Sequence, residues 1–229
     1  MSKSYTHVFF DVDGTLCDPG DSIARSAQHA LACVGIDEDD QARLRRFVGP
    51  PLGHSFRDLY NLGPSQVQLA VERYREFKVH NALDGYSAYA GVPELLRKLQ
   101  QTGHTLNVVT SKLHSFAVHA LDSTGLLGFF DNVFGCPLEV LVVKEEILAQ
   151  AIEHSAAPPD SAVMVGDRCF DVQAAMSNNV DSIAVLYGYG SAQELSAARP
   201  THLALTAADI ATAIHVSSSE RARNDGECL

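Results

Sequence analysis

Two aspartates two residues apart, Asp11 and Asp13, follow a short apolar run near the start of the chain. The run, residues 6–10, has the composition of a buried strand, and Gly14 and Thr15 indicate a turn behind it. Because strand side chains alternate between faces, residues i and i+2 point the same way and the two carboxylates can converge. Like charges in one pocket repel, so a bound cation or a shared proton must stabilise the pair. A strand that ends in an ordinary Asp-Gly turn is the alternative.

A second pair of acids follows another apolar run, residues 161–165. Asp167 comes shortly after that run, and Asp171 lies four residues later, where helical patterning begins. Side chains four residues apart lie on the same side of a helix, so both carboxylates face one region. The free N–H groups and the dipole of a helix N-terminus favour negative charge there.

Hydroxyl groups and a lysine follow a third apolar run, residues 105–109. Thr110, Ser111 and Lys112 occupy the point where a predicted strand gives way to a helix, and such a point can hold a phosphate group. A later predicted helix begins with Lys144. In a plainer interpretation, Thr110 caps the following helix and Lys112 is a solvated surface residue.

The second half of the chain alternates between strand-like and helical segments. Strands are predicted over 105–110, 131–135, 161–166, 182–187 and 202–205. This alternation is typical of an α/β fold, in which helices cover both faces of a parallel sheet. Ligands of such sheets bind beyond the carboxyl ends of the strands, where the acids, hydroxyls and lysines lie.

A second predicted unit is helical throughout. Its helices are expected near 20–34, 39–47, 51–60 and 65–80. Ser65 and Gln68 predict a capping box for the last of these, after a break at Pro64. The predicted units are an α/β core domain of residues 1–17 and 86–216, an inserted helical cap domain of residues 18–85, and a disordered tail of residues 217–229.

The formal net charge of -11 over 229 residues argues against a nucleic-acid or anionic membrane surface, because such surfaces need a basic patch. No apolar window is long enough to span a bilayer. Five cysteines without a Cys-x-x-Cys pair, and the lack of a signal peptide, favour reduced thiols and a cytoplasmic location. The sequence leaves the oligomeric state open.

Four segments of the chain, in order, resemble the four motifs of the haloacid dehalogenase superfamily in its phosphatase form. They are Asp11-x-Asp13-Gly14-Thr15, Thr110-Ser111-Lys112, Lys144 and Gly166-Asp167-x-x-x-Asp171. Two further segments resemble the phosphoglycolate phosphatase-like branch, Gly49-Pro50-Pro51-Leu52 and Tyr187-Gly188-Tyr189-Gly190-Ser191. The resemblance implies a Rossmann-like parallel sheet with an inserted all-helical cap.

The resemblance also implies roles for individual residues. Asp11 would accept a phosphoryl group to form an aspartyl-phosphate, which water then hydrolyses. Asp13 would act as general acid and then as general base, and Lys144 would neutralise charge. The phosphate-binding residues implied are Thr110, Ser111, Gly14 and Thr15.

The cofactor implied is Mg²⁺, a hard cation that combines a few carboxylates with waters and substrate phosphate. Its expected ligands are the Asp11 side chain, the Asp13 backbone carbonyl and the Asp167 side chain. Asp171 is expected behind them, where it contacts the ion through a water or holds Arg168.

The expected activity is hydrolysis of a phosphomonoester of a small soluble metabolite of the phosphoglycolate type. A nucleoside 5'-monophosphate phosphatase and a phosphomutase are the alternatives. A small acidic substrate requires a cation from the cap, for which Arg46 and His54 are the candidates. A nucleotide requires an apolar shelf, which Phe47, Phe56 or Tyr60 could supply.

Other classes of protein fit less well. Dehalogenases and phosphonatases of this superfamily lack the second aspartate of the first motif, so Asp13 argues against both. Phosphonatases also use a cap lysine, whereas Lys78, the only lysine of the predicted cap, is expected at the surface. A non-catalytic binding protein would keep a carboxylate cluster that lowers its stability for no purpose.

Overall fold

The computed structural model describes residues 5–81, 85–137 and 142–214. The tail predicted over 217–229 lies outside the described residues. The strands are β1 (His7–Phe10), β2 (Cys17–Asp18), β3 (Ser87–Ala88), β4 (Thr105–Leu113), β5 (Asn132–Cys136), β6 (Ala162–Gly166), β7 (Asp181–Val185) and β8 (His202–Ala204). The helices are α1 (Ser22–Cys33), α2 (Gln41–Arg45), α3 (Leu52–Tyr60), α4 (Pro64–Asn81), α5 (Val92–Gln101), α6 (His114–Ser123), α7 (Lys144–His154), α8 (Cys169–Ser177) and α9 (Ala192–Ala198), and a further helix covers 207–214.

Six strands form one sheet in the order β5-β4-β1-β6-β7-β8, and every neighbouring pair is parallel. The predicted α/β class with a Rossmann-like parallel sheet is therefore confirmed. The main difference lies in β4, which does not end at residue 110. It continues to Leu113, which pairs with Cys136 of β5 after an irregularity that follows Thr110.

Helices cover both faces of this sheet. Val8 and Phe10 of β1 pack in one buried cluster with residues of α5 and α6. Phe9, between them, packs in a second cluster with residues of α7 and α8. This division follows from the alternation of strand side chains, which directs neighbouring residues to opposite faces.

Helices α1 to α4 share a buried cluster of their own, whose largest members include Leu31, Leu44 and Phe56. The short antiparallel strands β2 and β3 pair where the chain leaves the sheet region and where it returns. The domain boundaries stay a prediction. Within the described ranges, the structure contains no helix that combines the length and the apolar character of a membrane span.

The start of α4 differs from the prediction. The helix begins at Pro64, and the Gly63 amide donates to Gln66 Oε1 at 3.3 Å. The predicted capping box of Ser65 and Gln68 is therefore wrong. Proline suits the first helical position because its φ is already helical and the N–H it lacks would have had no helical partner.

Candidate active site

Parallel pairing brings Asp11 and Asp167 to the same edge of the sheet. Phe10 of β1 lies opposite Val165 of β6, and the Asp11 amide donates to the Val165 carbonyl at 2.9 Å. Asp11 follows the end of β1, and Asp167 follows the end of β6. Asp11, Asp167 and Asp171 each place a carboxylate oxygen within 4.8 Å of the other two.

Lys144 lies between two of these carboxylates. Its Nζ is 3.0 Å from Asp11 Oδ1 and 2.6 Å from Asp171 Oδ1, and all three side chains are buried. Burial alone would lower the pKa of Lys144, but the two carboxylates outweigh burial and raise the pKa. Lys144 therefore carries a positive charge among the acids.

Asp171 is held by the helix in whose first turn it lies. Its Oδ2 accepts a hydrogen bond from the Arg168 amide at 2.9 Å, which caps α8. The Arg168 guanidinium points elsewhere, with Nε 2.9 Å from Glu194 Oε1 and Nη1 donating to the Val48 carbonyl. The expected contact between Asp171 and Arg168 thus runs through the backbone of Arg168.

Two glycines allow the acids to pack this closely. A Cβ at Gly14, whose φ is +86°, would lie 2.1 Å from Asp167 Oδ2. A Cβ at Gly166 would lie 2.0 Å from Asp171 Cγ. Any larger residue at either position would displace a carboxylate of the cluster.

Asp13 forms a second ion pair. Its Oδ2 lies 2.6 Å from Lys112 Nζ, and the two side chains are only 10% and 8% exposed. The expectation of a solvated Lys112 is therefore wrong. Thr110 does not cap a helix either, because β4 continues past it and α6 begins at His114; its Oγ1 accepts the Lys112 amide at 3.3 Å.

A cleft opens beside these groups, with an empty volume of about 650 Å³ that includes the part open to solvent. Its lining from the sheet side includes Asp11, Asp13, Thr110, Ser111 and Lys112. Helices α1, α3 and α4 and the segment between α2 and α3 contribute Ile23, Phe47, Gly49, Pro50, Leu52, Tyr74, Arg75 and Lys78. Gly14 and Thr15 are not part of the lining, and the Thr15 carbonyl accepts a hydrogen bond from Tyr187 Oη at 2.8 Å.

Of the residues expected to set specificity, the structure places some at the cleft and others away from it. Neither Arg46, which is exposed, nor His54, which is half-buried, lines the cleft. Phe47 does line it. Phe56 is fully buried in the cluster of α1 to α4, and Tyr60 packs against Phe47 with ring centroids 6.0 Å apart.

Comparison with known proteins identifies the family. The sequence profile described as haloacid dehalogenase-like hydrolase matches residues 8–185. The chain belongs to the haloacid dehalogenase-like hydrolase family. The predicted resemblance to this superfamily is thereby confirmed.

Relatives of this hydrolase carry several names. A 5'-nucleotidase of Pseudomonas aeruginosa is 40% identical over 86% of this chain and 90% of its own length. Tyrosine-protein kinase PtkA of Mycobacterium tuberculosis is 33% identical over 81% of this chain and 63% of its own length. A crystal structure described as a "predicted phosphatase" from Clostridium acetobutylicum has a TM-score of 0.89 at 34% identity, covering 92% of this chain and 98% of that chain. Solved structures whose names contain "phosphoglycolate phosphatase" share the fold at 21% identity.

The acidic cluster of this haloacid dehalogenase-like hydrolase fits a hard divalent cation. Oδ1 of Asp13 and Oδ1 of Asp167 are buried, and neither has a hydrogen-bond partner within the described residues. Burial, together with the carboxylates of Asp171 and Asp11, raises the pKa of Asp167 well above its usual range. A cation bound to these oxygens would stabilise their charged forms, and all-oxygen sites of this kind suit Mg²⁺.

Lys78, like Lys112, lies elsewhere than the sequence predicts. Its side chain is 1% exposed and lines the cleft, so the expectation of a surface lysine is wrong. Ala70, Tyr74 and Lys78 are spaced by four residues and form one buried stripe of α4. That spacing was the available signal, since it places the lysine on the helix face that packs inward.

Proposed function

We propose that this hydrolase is a magnesium-dependent phosphatase that releases phosphate from a small phosphorylated metabolite. The observation that carries the proposal is the position of Lys144 Nζ, 3.0 Å from Asp11 Oδ1 and 2.6 Å from Asp171 Oδ1. These two aspartates and Asp167 each have a carboxylate oxygen within 4.8 Å of the other two. A carboxylate next to a fixed cation supports the role of Asp11 as nucleophile, because phosphoryl transfer requires neutralisation of charge around the transferred group.

Asp11 and Asp13 divide the chemistry between them. A carboxylate oxygen of Asp11 attacks phosphorus, the bond from phosphorus to the leaving oxygen breaks, and Asp13 donates a proton to that oxygen. Water then attacks phosphorus, Asp13 accepts a proton from this water, and the bond between phosphorus and Asp11 breaks. The products are the dephosphorylated alcohol and inorganic phosphate.

Residues of β4 would hold the phosphoryl group during both steps. Ser111 Oγ is buried without a hydrogen-bond partner in the described part of the chain, so it can donate to a phosphoryl oxygen. Thr110 lines the same cleft. Lys144 neutralises charge on Asp11 and on the transferred group, which is the positioning and electrostatic work that this reaction needs.

Mg²⁺ would be held by the side chains of Asp11 and Asp167 and the backbone carbonyl of Asp13. When bound, it supplies positive charge to the phosphoryl oxygens. Asp171 would stay behind these ligands, because its two oxygens are already committed to Lys144 and to the Arg168 amide.

A 5'-nucleotidase activity is the second candidate. It is favoured by the relative of that name at 40% identity. The aromatic rings of Phe47, Tyr74 and Phe116, which line the cleft, also favour it because a base can stack on such rings.

The proposal is tested by phosphate release from p-nitrophenyl phosphate with Mg²⁺ and with EDTA. We expect turnover that EDTA abolishes and added Mg²⁺ restores. Asp11→Asn should lower kcat by about 10³-fold or more while the protein stays folded. Asp122→Asn, at an exposed position of α6, is the matched control and should keep full activity. Turnover that survives in Asp11→Asn would refute the nucleophile.

A further inference from the structure

Lys78 has a buried ammonium group whose partners are hydroxyls. Its Nζ lies 2.9 Å from Ser22 Oγ and 3.4 Å from Tyr86 Oη. Among the described residues no carboxylate lies within ion-pair distance of it. The side chain is 1% exposed and nevertheless lines the cleft.

This environment is unfavourable for a charged group. A buried ammonium loses its hydration, and only an opposite charge or several hydrogen bonds replace it. Burial is the larger cause and repulsion from Lys112 the next, and together they lower the pKa of Lys78 to about 7. Within the described residues, this geometry leaves one positive charge of the cleft without a negative partner.

Hydrogen bonds connect Lys78 to the proposed acid Asp13. Asp13 Oδ2 pairs with Lys112 Nζ at 2.6 Å, Lys112 Nζ donates to Tyr86 Oη at 2.7 Å, and Tyr86 Oη is 3.4 Å from Lys78 Nζ. Nζ of Lys112 lies 5.0 Å from the centroid of the Tyr86 ring, and Nζ of Lys78 lies 5.3 Å from it. Because Asp13 would protonate the leaving oxygen, Lys78 lies on the side of the cleft that receives the leaving group.

We propose that Lys78 binds a second oxyanion, a carboxylate or a phosphate, carried by the leaving group of the substrate. An ammonium group binds such an anion through charge-assisted hydrogen bonds, which are stronger than those to a neutral hydroxyl. Arg75 lines the same cleft and adds positive charge. The inference rests on the proposed phosphatase activity and specifies its substrate class, small bis-anionic phosphomonoesters rather than nucleoside monophosphates, whose leaving group is neutral.

Matched substrates test this inference. The reference substrate is 2-hydroxyethyl phosphate, whose leaving group is neutral. In 2-phosphoglycolate a carboxylate replaces its hydroxymethyl group, and in ethylene glycol bisphosphate its hydroxyl group carries a second phosphate. With Mg²⁺, we expect kcat/KM for at least one bis-anionic compound to exceed that of 2-hydroxyethyl phosphate by about tenfold or more. The compound that gains identifies carboxylate or phosphate as the bound group.

Variants of Lys78 show whether this preference depends on the ammonium group. Lys78→Met should bring the ratio of kcat/KM values close to one, and Lys78→Arg should restore part of it. Lys98→Met removes a lysine from the exposed side of α5 and should leave the ratio unchanged. Lys78→Gln is the second neutral variant, which keeps hydrogen-bonding capacity toward Ser22 and Tyr86 should Lys78→Met fold poorly.

A binding measurement separates this inference from the proposed activity. Calorimetric titration of Asp11→Asn with each compound should show tighter binding of the bis-anionic one, and Asp11→Asn/Lys78→Met should lose the difference. Suppose that the protein hydrolyses p-nitrophenyl phosphate, but that the ratio of kcat/KM for the bis-anionic compound to kcat/KM for 2-hydroxyethyl phosphate is the same in wild type and Lys78→Met. That result would overturn the anion site and leave the proposed phosphatase activity standing. If no phosphate is released from any compound, the proposed activity fails, and the titration alone decides on the anion site.

Discussion

Lys144 Nζ and Asp171 Oδ1 lie 2.6 Å apart, with side chains that are only 2% and 1% exposed. Lys144 is the first residue of α7, and Asp171 lies in the first turn of α8. The pair therefore joins two helix N-termini, and through Lys144 it also fixes Asp11 at 3.0 Å. The orientation of the proposed nucleophile thus depends on how α7 and α8 pack.

Removal of Lys144 should destabilise the protein in a way that depends on metal. Lys144→Met leaves the buried carboxylates of Asp11 and Asp171 without their cation, and such a loss costs about 3–5 kcal/mol. We expect the free energy of unfolding in EDTA to fall by that amount, and to fall less in Mg²⁺, because the ion compensates part of the negative charge. Urea denaturation in both buffers measures the two differences.

Lys98→Met is the control, since it removes an exposed lysine from α5. Its free energy of unfolding should match the wild type in either buffer. Equal losses for Lys144→Met with and without Mg²⁺ would show that no divalent ion stabilises the acidic cluster.

A methyl group at Gly166 should disrupt the site with little change elsewhere. Its Cβ would lie 2.0 Å from Asp171 Cγ, so the Asp171 carboxylate must leave its present position, in which it contacts Lys144. Misplacement of about 1 Å can lower activity by about 10²-fold, and we expect kcat of Gly166→Ala with p-nitrophenyl phosphate to fall at least that far. Gly128→Ala is the matched control, because a Cβ there meets nothing within 4 Å. Comparable activities of the two variants would contradict the proposed role of Asp171.

The gathering of the acids could be predicted from the sequence, because it follows from local patterns and one topological rule. Asp11 and Asp167 each follow an apolar strand, and parallel strands present their carboxyl ends at one edge. The register between β1 and β6 then brings the two residues together without further information.

The positions of the two cleft lysines could not be predicted in the same way. The side chain of Lys112 is only 8% exposed because β4 runs on to Leu113 and pairs with β5, which depends on contacts between segments distant in sequence. Lys78 is buried because α4 packs in the cluster of α1 to α4. The spacing of Ala70, Tyr74 and Lys78 indicates a shared helix face, but the general preference of lysine for water argues against burying that face. Both errors arise from tertiary packing that overrides local preference.

The ion pair of Lys112 with Asp13 predicts a dependence on the leaving group. Lys112 orients the carboxyl that would protonate the leaving oxygen, so Lys112→Gln should impair substrates that need this proton. We expect kcat for an alkyl phosphate to fall about 10²-fold, and that for p-nitrophenyl phosphate, whose leaving group is a weak base, less than about tenfold. Steady-state kinetics with both substrates measures the loss of kcat for each. Equal losses on both would indicate a purely structural role for Lys112.

The pKa of Lys78 predicts how stability changes with pH. Burial and the nearby charge of Lys112 lower this pKa from its ordinary value of 10.5 to about 7, against the attraction of Asp13, and Arg25 adds a further repulsion. Between these two values the unfolded chain binds a proton at Lys78 that the folded protein has released. Stability contributed by this group therefore rises with pH in that window and stays level below it.

Urea denaturation of wild type and Lys78→Met from pH 6 to 9.5 tests this sign. The free energy of unfolding of the wild type, relative to Lys78→Met, should rise between pH 7.5 and 9.5 by about 2–2.5 kcal/mol, because nearly one proton differs between the two states across this range and each pH unit is then worth about 1.4 kcal/mol. The free energy of unfolding of the wild type relative to Lys98→Met should not change with pH, since the Lys98 side chain is exposed. A difference that falls with pH, or does not change, would mean that the ammonium of Lys78 is compensated in the folded protein and would remove the energetic reason for a second anion in the cleft.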